Sequence, residues 1–136
     1  MSWYDSDPEF TERLEYFVES EVANDSDLQL DPPTLYMSIL AALIGVQGEE
    51  CYRYTLPKAL DSGLSPTAVK EIVYQGVDYL GIGRVANFLN VTNEVLTARG
   101  IKLPLEPQGT TTLDDRLSRG SDAQVAIFGD GMRDFW

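Results

Sequence analysis

Ser65-Pro66-Thr67-Ala68-Val69-Lys70-Glu71-Ile72-Val73-Tyr74-Gln75-Gly76-Val77-Asp78-Tyr79-Leu80 is the stretch on which the fold turns. Ser65 is a helix cap, and Pro66 takes the first helical position, where a missing amide proton costs nothing. Val69, Ile72, Val73, Gly76, Val77 and Leu80 then recur every three or four residues, which predicts an apolar stripe on a helix rather than the alternation of a strand. Gly81 and Gly83 interrupt the pattern. Val85, Phe88, Leu89, Val91, Val95 and Leu96 resume it up to Gly100, a suitable left-handed terminator. Two such helices, at about 66–80 and 84–99, predict an antiparallel hairpin at the core of an all-α fold.

The same grammar extends in both directions. Asp7-Pro8 predicts a first helix by cap and Pro, with Phe10, Leu14, Phe17 and Val18 at helical spacing and an end near Ala23. Asn24-Asp25-Ser26-Asp27 has the composition of a loop. Asp31-Pro32-Pro33 restarts a helix through Leu35, Ile39, Ala42, Leu43 and Val46, apolar on most sides and therefore buried by its own chain or by a neighbour. A third helix is expected from Gly48 or Glu49 to Leu60, with a kink or an early break at Pro57, which removes one amide donor and crowds the carbonyl of Arg53. Beyond the hairpin, residues 101–111 form a linker containing Pro104, Pro107 and Gly109. Thr112 then caps a sixth helix with an acidic first turn at Asp114-Asp115 and an apolar face of Leu113, Leu117, Val125, Ile127 and Phe128. The expectation is a small bundle of about six helices.

Composition limits the partners. A chain of 136 residues, 43% hydrophobic, fits one domain able to bury roughly two thirds of its unfolded surface. Its formal charge of −12 repels phosphate backbones and anionic lipid, so neither nucleic acid nor a membrane is an expected partner. The acidic, aromatic N-terminus lacks the pattern of a secretory signal, and no apolar run approaches about 18 residues, which predicts a cytoplasmic protein. One cysteine and no histidine exclude an internal disulfide and a structural zinc site within one chain. The aspartates lack calcium-loop spacing, and Gly81-Ile82-Gly83 follows no strand, so no metal and no cofactor are expected.

Chemistry concentrates in Gly48-Glu49-Glu50-Cys51-Tyr52-Arg53-Tyr54-Thr55. Near a helix start, unpaired amides favour the Cys51 thiolate, while Glu49 and Glu50 oppose it. Tyr54 and Thr55, three and four positions on, share the face of Cys51 and can offer it hydroxyls; Arg53 points elsewhere. The lone thiol is read either as a small core hydrophobe or as a reactive group that relies on an external thiol for reduction. Tyr79 is a further candidate pocket hydroxyl, with ring packing as its alternative. Glu49 and Glu50 lie about 100° apart on a helix and cannot act as a facing pair.

Leu40-Ala41-Ala42-Leu43-Ile44-Gly45, then Ala59-Leu60-Asp61-Ser62-Gly63-Leu64-Ser65-Pro66, Lys70-Glu71-Ile72, Tyr79-Leu80-Gly81, Asn87 and Glu94-Val95-Leu96 resemble the carboxymuconolactone decarboxylase family, which includes the alkylhydroperoxidase D proteins, over residues 34–99. The resemblance implies an all-α domain at 1–100 that assembles into trimers or hexamers. It also implies a small-molecule substrate and one of two chemistries, lactone decarboxylation as a lyase or thiol-dependent peroxide reduction of the peroxiredoxin type. In the lactone branch the family's Glu and His fall at Cys51 and Thr55. In the peroxidase branch its two cysteines, His and upstream Glu fall at Gly48, Cys51, Thr55 and Tyr36, so one thiol of that set is retained.

The expected site is a pocket near Cys51, Tyr54, Thr55 and Tyr79, with Cys51 as nucleophile or proton donor and a tyrosine polarising the substrate. The competing reading is a catalytically degenerate member acting as a binding or assembly subunit, alongside a catalytically complete homologous partner. Arg116, Arg119-Gly120 and Ile127-Phe128-Gly129 resemble the leader helix of longer family members. Residues 112–136 are accordingly expected to pack as an arm on a neighbouring subunit, or else to begin a second repeat; the first is favoured because their apolar residues need a surface.

Overall fold

Among the described residues of the computed structural model, 3–22 and 30–135, every regular element is helical. In chain order these are α1 (Trp3–Ser6), α2 (Pro8–Glu15), a π-helical segment (Tyr16–Val22), α3 (Pro32–Gly45), α4 (Glu49–Asp61), α5 (Pro66–Leu80), α6 (Ile82–Ala98), α7 (Arg116–Phe128) and a 3-10 segment (Asp130–Phe135). The single-turn α1 takes the count one above the six that the pattern predicts. The predicted loop at Asn24–Asp27, the expected end near Ala23 and the C-terminal Trp136 lie outside the described residues. The chain divides into two compact units, residues 1–103 and 104–136.

In the first unit the local signals act as expected at two starts. Asp31 accepts the Thr34 N–H at 3.1 Å and opens α3, and Ser65 accepts the Ala68 N–H at 3.1 Å and opens α5. At α2 the proline occupies the first position but the Asp7 side chain makes no cap bond; it accepts the Ser6 hydroxyl at 2.6 Å instead. Gly81, at φ +81°, turns α5 into α6, and Gly100, at φ +77°, ends α6 while the Ile101 N–H reaches back to the Leu96 carbonyl at 3.0 Å.

The predicted hairpin is the centre of the bundle. α5 packs on α6, α3 on α4 and α5, and α4 on α6. Leu40, Ile44, Tyr52, Leu56, Val69, Val73, Val85, Phe88 and Val91 form its buried core, each contributing roughly 1.5–3 kcal/mol of apolar burial. At Gly76 the helices come close. A methyl there would meet Ile44 Cγ2 at 3.4 Å and Val85 Cγ2 at 3.5 Å. Lys70 is buried beside α6, its ammonium donating to Asn93 Oδ1 and held below the usual lysine range by desolvation.

One expectation is corrected here. α4 runs through Pro57 to Asp61 without the predicted break, because Leu56 and Ala59 on either side are fully buried and anchor the backbone across the lost hydrogen bond. Exposure divides the residues of the first helix. Phe10 and Phe17 are exposed, and the buried residue of α2 is Thr11.

A buried polar pair joins α4 to α6. Thr92 Oγ1 gives its proton to the Phe88 carbonyl at 2.8 Å, so the Tyr52 hydroxyl is the donor in the 2.8 Å bond between Tyr52 and Thr92. Burial pushes the Tyr52 phenol up from 10.0 to about 12. Between pH 10 and 12 the unfolded chain therefore releases a proton that the folded chain keeps, and stability falls as pH rises, by on the order of 2–3 kcal/mol across the window. Tyr52→Phe should move the alkaline unfolding midpoint, followed by circular dichroism, to higher pH. An unmoved midpoint would contradict this account.

In the second unit α7 starts three residues later than a Thr112 cap predicts, with Asp115 in the cap position. Thr112 and Asp115 close a turn of their own: the Thr112 N–H donates to Asp115 Oδ1 at 2.5 Å and the Asp115 N–H to Thr112 Oγ1 at 3.4 Å. The reciprocal pair has capping-box chemistry one turn ahead of the helix. Gly129, at φ +92°, ends α7.

Candidate functional site

Helical spacing on α4 places Cys51, Tyr54, Thr55 and Lys58 at i, i+3, i+4 and i+7, on one face. That face is turned away from the core that Tyr52, Leu56 and Ala59 enter. Opposite it stand Leu35, Tyr36, Ile39 and Leu43 of α3. This is why α3 is apolar on more than one side: Leu40 and Ile44 fill the core, and the adjacent face serves a cavity. The N-terminal segment supplies the remaining wall through Tyr4, Thr11, Leu14, Glu15, Val18 and Glu19.

The volume of the cavity, which is open to solvent on one side, is about 260 Å³. It lies just under the roughly 300 Å³ at which ligand sites commonly begin, a size suited to a small molecule. Aliphatic side chains make most of the wall, and the polar groups gather between α4 and the N-terminal segment. The Tyr54 hydroxyl donates to Glu15 Oε1, and Lys58 Nζ donates to Glu19 Oε1. Lys58 Nζ also sits 4.4 Å from the centroid of the Tyr54 ring, whose other neighbour is Tyr4, stacked at 4.5 Å with 26° between the planes.

These contacts set the protonation of the group. Burial, reinforced by Tyr54, Cys51 and Glu15 and opposed by Lys58, pushes the Tyr4 phenol up to about 12. Burial and the bond to Glu15 raise Tyr54. For Lys58, burial works against the charge, yet the bonds to Glu19 and Tyr54 more than restore it and hold the ammonium above the usual lysine range. At neutral pH both phenols keep their protons and Lys58 is charged.

Three of the four residues expected at the site, Cys51, Tyr54 and Thr55, line this cavity together. Cys51 is exposed to solvent rather than a core hydrophobe, so the thiol is reachable. Tyr36 joins them from α3. Tyr79 does not line it: its side chain is 85% exposed on the last turn of α5, where adjacent Leu80 takes the inward place. Neither Glu49 nor Glu50 lines the cavity, and Arg53 reaches away from it to Glu94 at 2.6 Å. Sequence reading missed Lys58, which simply continues the i, i+3, i+4 pattern by one more turn. It also missed Glu15 and Glu19, whose signal was the polar spacing Thr11, Glu15, Glu19 interleaved with Leu14 and Val18.

Among the described residues, no group of three or more His, Cys, Asp or Glu is placed to hold a metal ion, and no helix is long and apolar enough to cross a membrane. A family model described as the carboxymuconolactone decarboxylase family matches residues 8–94, well over half of the chain. The chain belongs to the carboxymuconolactone decarboxylase family. No curated protein and no solved structure gives a significant match. The carboxymuconolactone decarboxylase match starts at Pro8, upstream of the 34–99 stretch that carried the resemblance, and so includes α2 and its cavity residues Thr11, Leu14 and Glu15. This member has no histidine in its whole length, and Thr55 stands where the resemblance aligns the family's imidazole.

Proposed function

We propose that this carboxymuconolactone decarboxylase-like protein acts on a small, largely apolar molecule in the α3–α4 cavity, and that its chemistry is thiol-dependent reduction of a hydroperoxide at Cys51. One observation carries the reading: the chain's sole thiol is solvent-accessible and opens on a cavity of about 260 Å³ beside the Tyr54 and Thr55 hydroxyls. Attack by the Cys51 thiolate on the peroxide O–O bond gives a sulfenate and releases an alcohol. A second, external thiol then forms a mixed disulfide with loss of water, and a third restores Cys51. The chain has one cysteine, so the reducing thiols come from outside it. Lactone decarboxylation fits less well, because it needs a proton carrier near neutral pH, and neither Cys51 nor Thr55 replaces imidazole there. The test is consumption of cumene hydroperoxide by the protein with dithiothreitol as reductant, with Cys51→Ser as the control.

A second reading has its own support in the missing histidine and missing second cysteine: a binding or assembly subunit beside a catalytically complete homologue. It predicts that small molecules occupy the cavity while hydroperoxide is not consumed.

We also propose that residues 112–136 pack as an arm on a neighbouring subunit of a trimer or hexamer. α7 contains no buried residue, and Leu117, Ile127 and Phe128 are each more than 70% exposed, a surface that a soluble monomer rarely leaves open. Truncation after Gly109 should lower the mass measured by light scattering; an unchanged mass would refute the arm.

A further inference from the structure

We infer that the cavity selects an uncharged ligand bearing a hydroxyl or hydroperoxyl donor, that Glu15 is the acceptor that orients it, and that carboxylates are turned away. This rests on the cavity being the ligand site. The charged residues of its described lining are Glu15, Glu19 and Lys58, two carboxylates against one ammonium. Lys58 is already engaged by Glu19, so an entering anion finds its natural counter-ion taken and Glu15 one turn away on the same face. An unpaired carboxylate among Leu14, Leu35, Ile39 and Leu43 is strongly disfavoured, and the formal charge of −12 adds to the repulsion.

A neutral hydroxyl meets the opposite situation. A carboxylate accepts about four hydrogen bonds, so Glu15 can receive a ligand proton while its Oε1 still receives that of Tyr54. The hydrocarbon part of the ligand then lies against the aliphatic wall. Glu19 acts as the selectivity element: it touches no reacting atom and works by occupying Lys58.

Two probes of one shape, cyclohexylmethanol and cyclohexanecarboxylate, test the assignment by calorimetric titration of the full chain at pH 7. The alcohol should bind at least tenfold more tightly. Glu19→Gln should leave the Lys58 ammonium without its counter-ion and raise carboxylate affinity at least tenfold. Lys58→Gln, which removes the cation without freeing it, should weaken the carboxylate further and so reports independently should the first variant fold poorly. Carboxylate binding as tight as alcohol in the native chain, or a preference that Glu19→Gln leaves unchanged, would overturn the inference while leaving the cavity as a ligand site. Failure of both probes to bind or to slow Cys51 alkylation would overturn the cavity reading and this inference with it.

Discussion

Phe88→Ala is expected to destabilise the first unit by about 3–5 kcal/mol, measured as a lower urea midpoint with little change in slope. Phe88 is 2% exposed and packs edge-to-face on Tyr52, ring centroids 5.2 Å apart and planes at 86°. Truncation removes a large apolar surface, leaves a cavity where α4 meets α6, and loses an aromatic pair worth about 0.5–1.5 kcal/mol beyond its area. A domain of this size holds only about 5–15 kcal/mol, so the loss is a large share of the total. Phe17→Ala is the contrast. Phe17 belongs to the apolar spacing of the first helix, but its 53% exposure predicts a change within about 0.5 kcal/mol. A loss of less than about 1 kcal/mol for Phe88→Ala would mean that the α4–α6 packing is not the core described above.

Cys51→Ser should reduce hydroperoxide consumption to below about a hundredth of the native rate. A serine hydroxyl is almost wholly protonated at neutral pH and is a far weaker nucleophile than a thiolate. Cyclohexylmethanol binding should change little, because the oxygen replaces an exposed sulfur at the cavity wall rather than a packed one. Loss of turnover with retained binding assigns the chemistry to the sulfur. Equal loss of both would point to a structural role for residue 51, and equal turnover would remove Cys51 from the mechanism.

What the sequence disclosed follows the range of the forces involved. Asp31, Ser65 and Gly100 act on backbone groups within four residues, so their chemistry is written locally and the helices begin or end where they stand. Cys51, Tyr54 and Thr55 were legible together because one helix face needs no tertiary information. Glu15 and Glu19 were not, since they meet α4 only when the N-terminal segment docks, and in sequence they resemble ordinary solvated acids. The exposure of Phe10 and Phe17 has the same origin: apolar spacing marks a helix, and docking decides which face turns inward. Pro57 shows packing overriding a local rule, with buried Leu56 and Ala59 beside it and α4 continuing helical to Asp61. Tyr79 was assigned to the pocket by residue type, and its position on the last turn of α5 keeps it in solvent.

The most direct measurement is intact-protein mass spectrometry of the native chain after one equivalent of cumene hydroperoxide, with dimedone present to capture sulfenate, in the absence and presence of saturating cyclohexylmethanol. The account predicts a single dimedone adduct on Cys51 that the alcohol suppresses, because reagent and ligand compete for the same small space. An unmodified thiol beside intact hydroperoxide, or an adduct that forms equally with the alcohol bound, would contradict it.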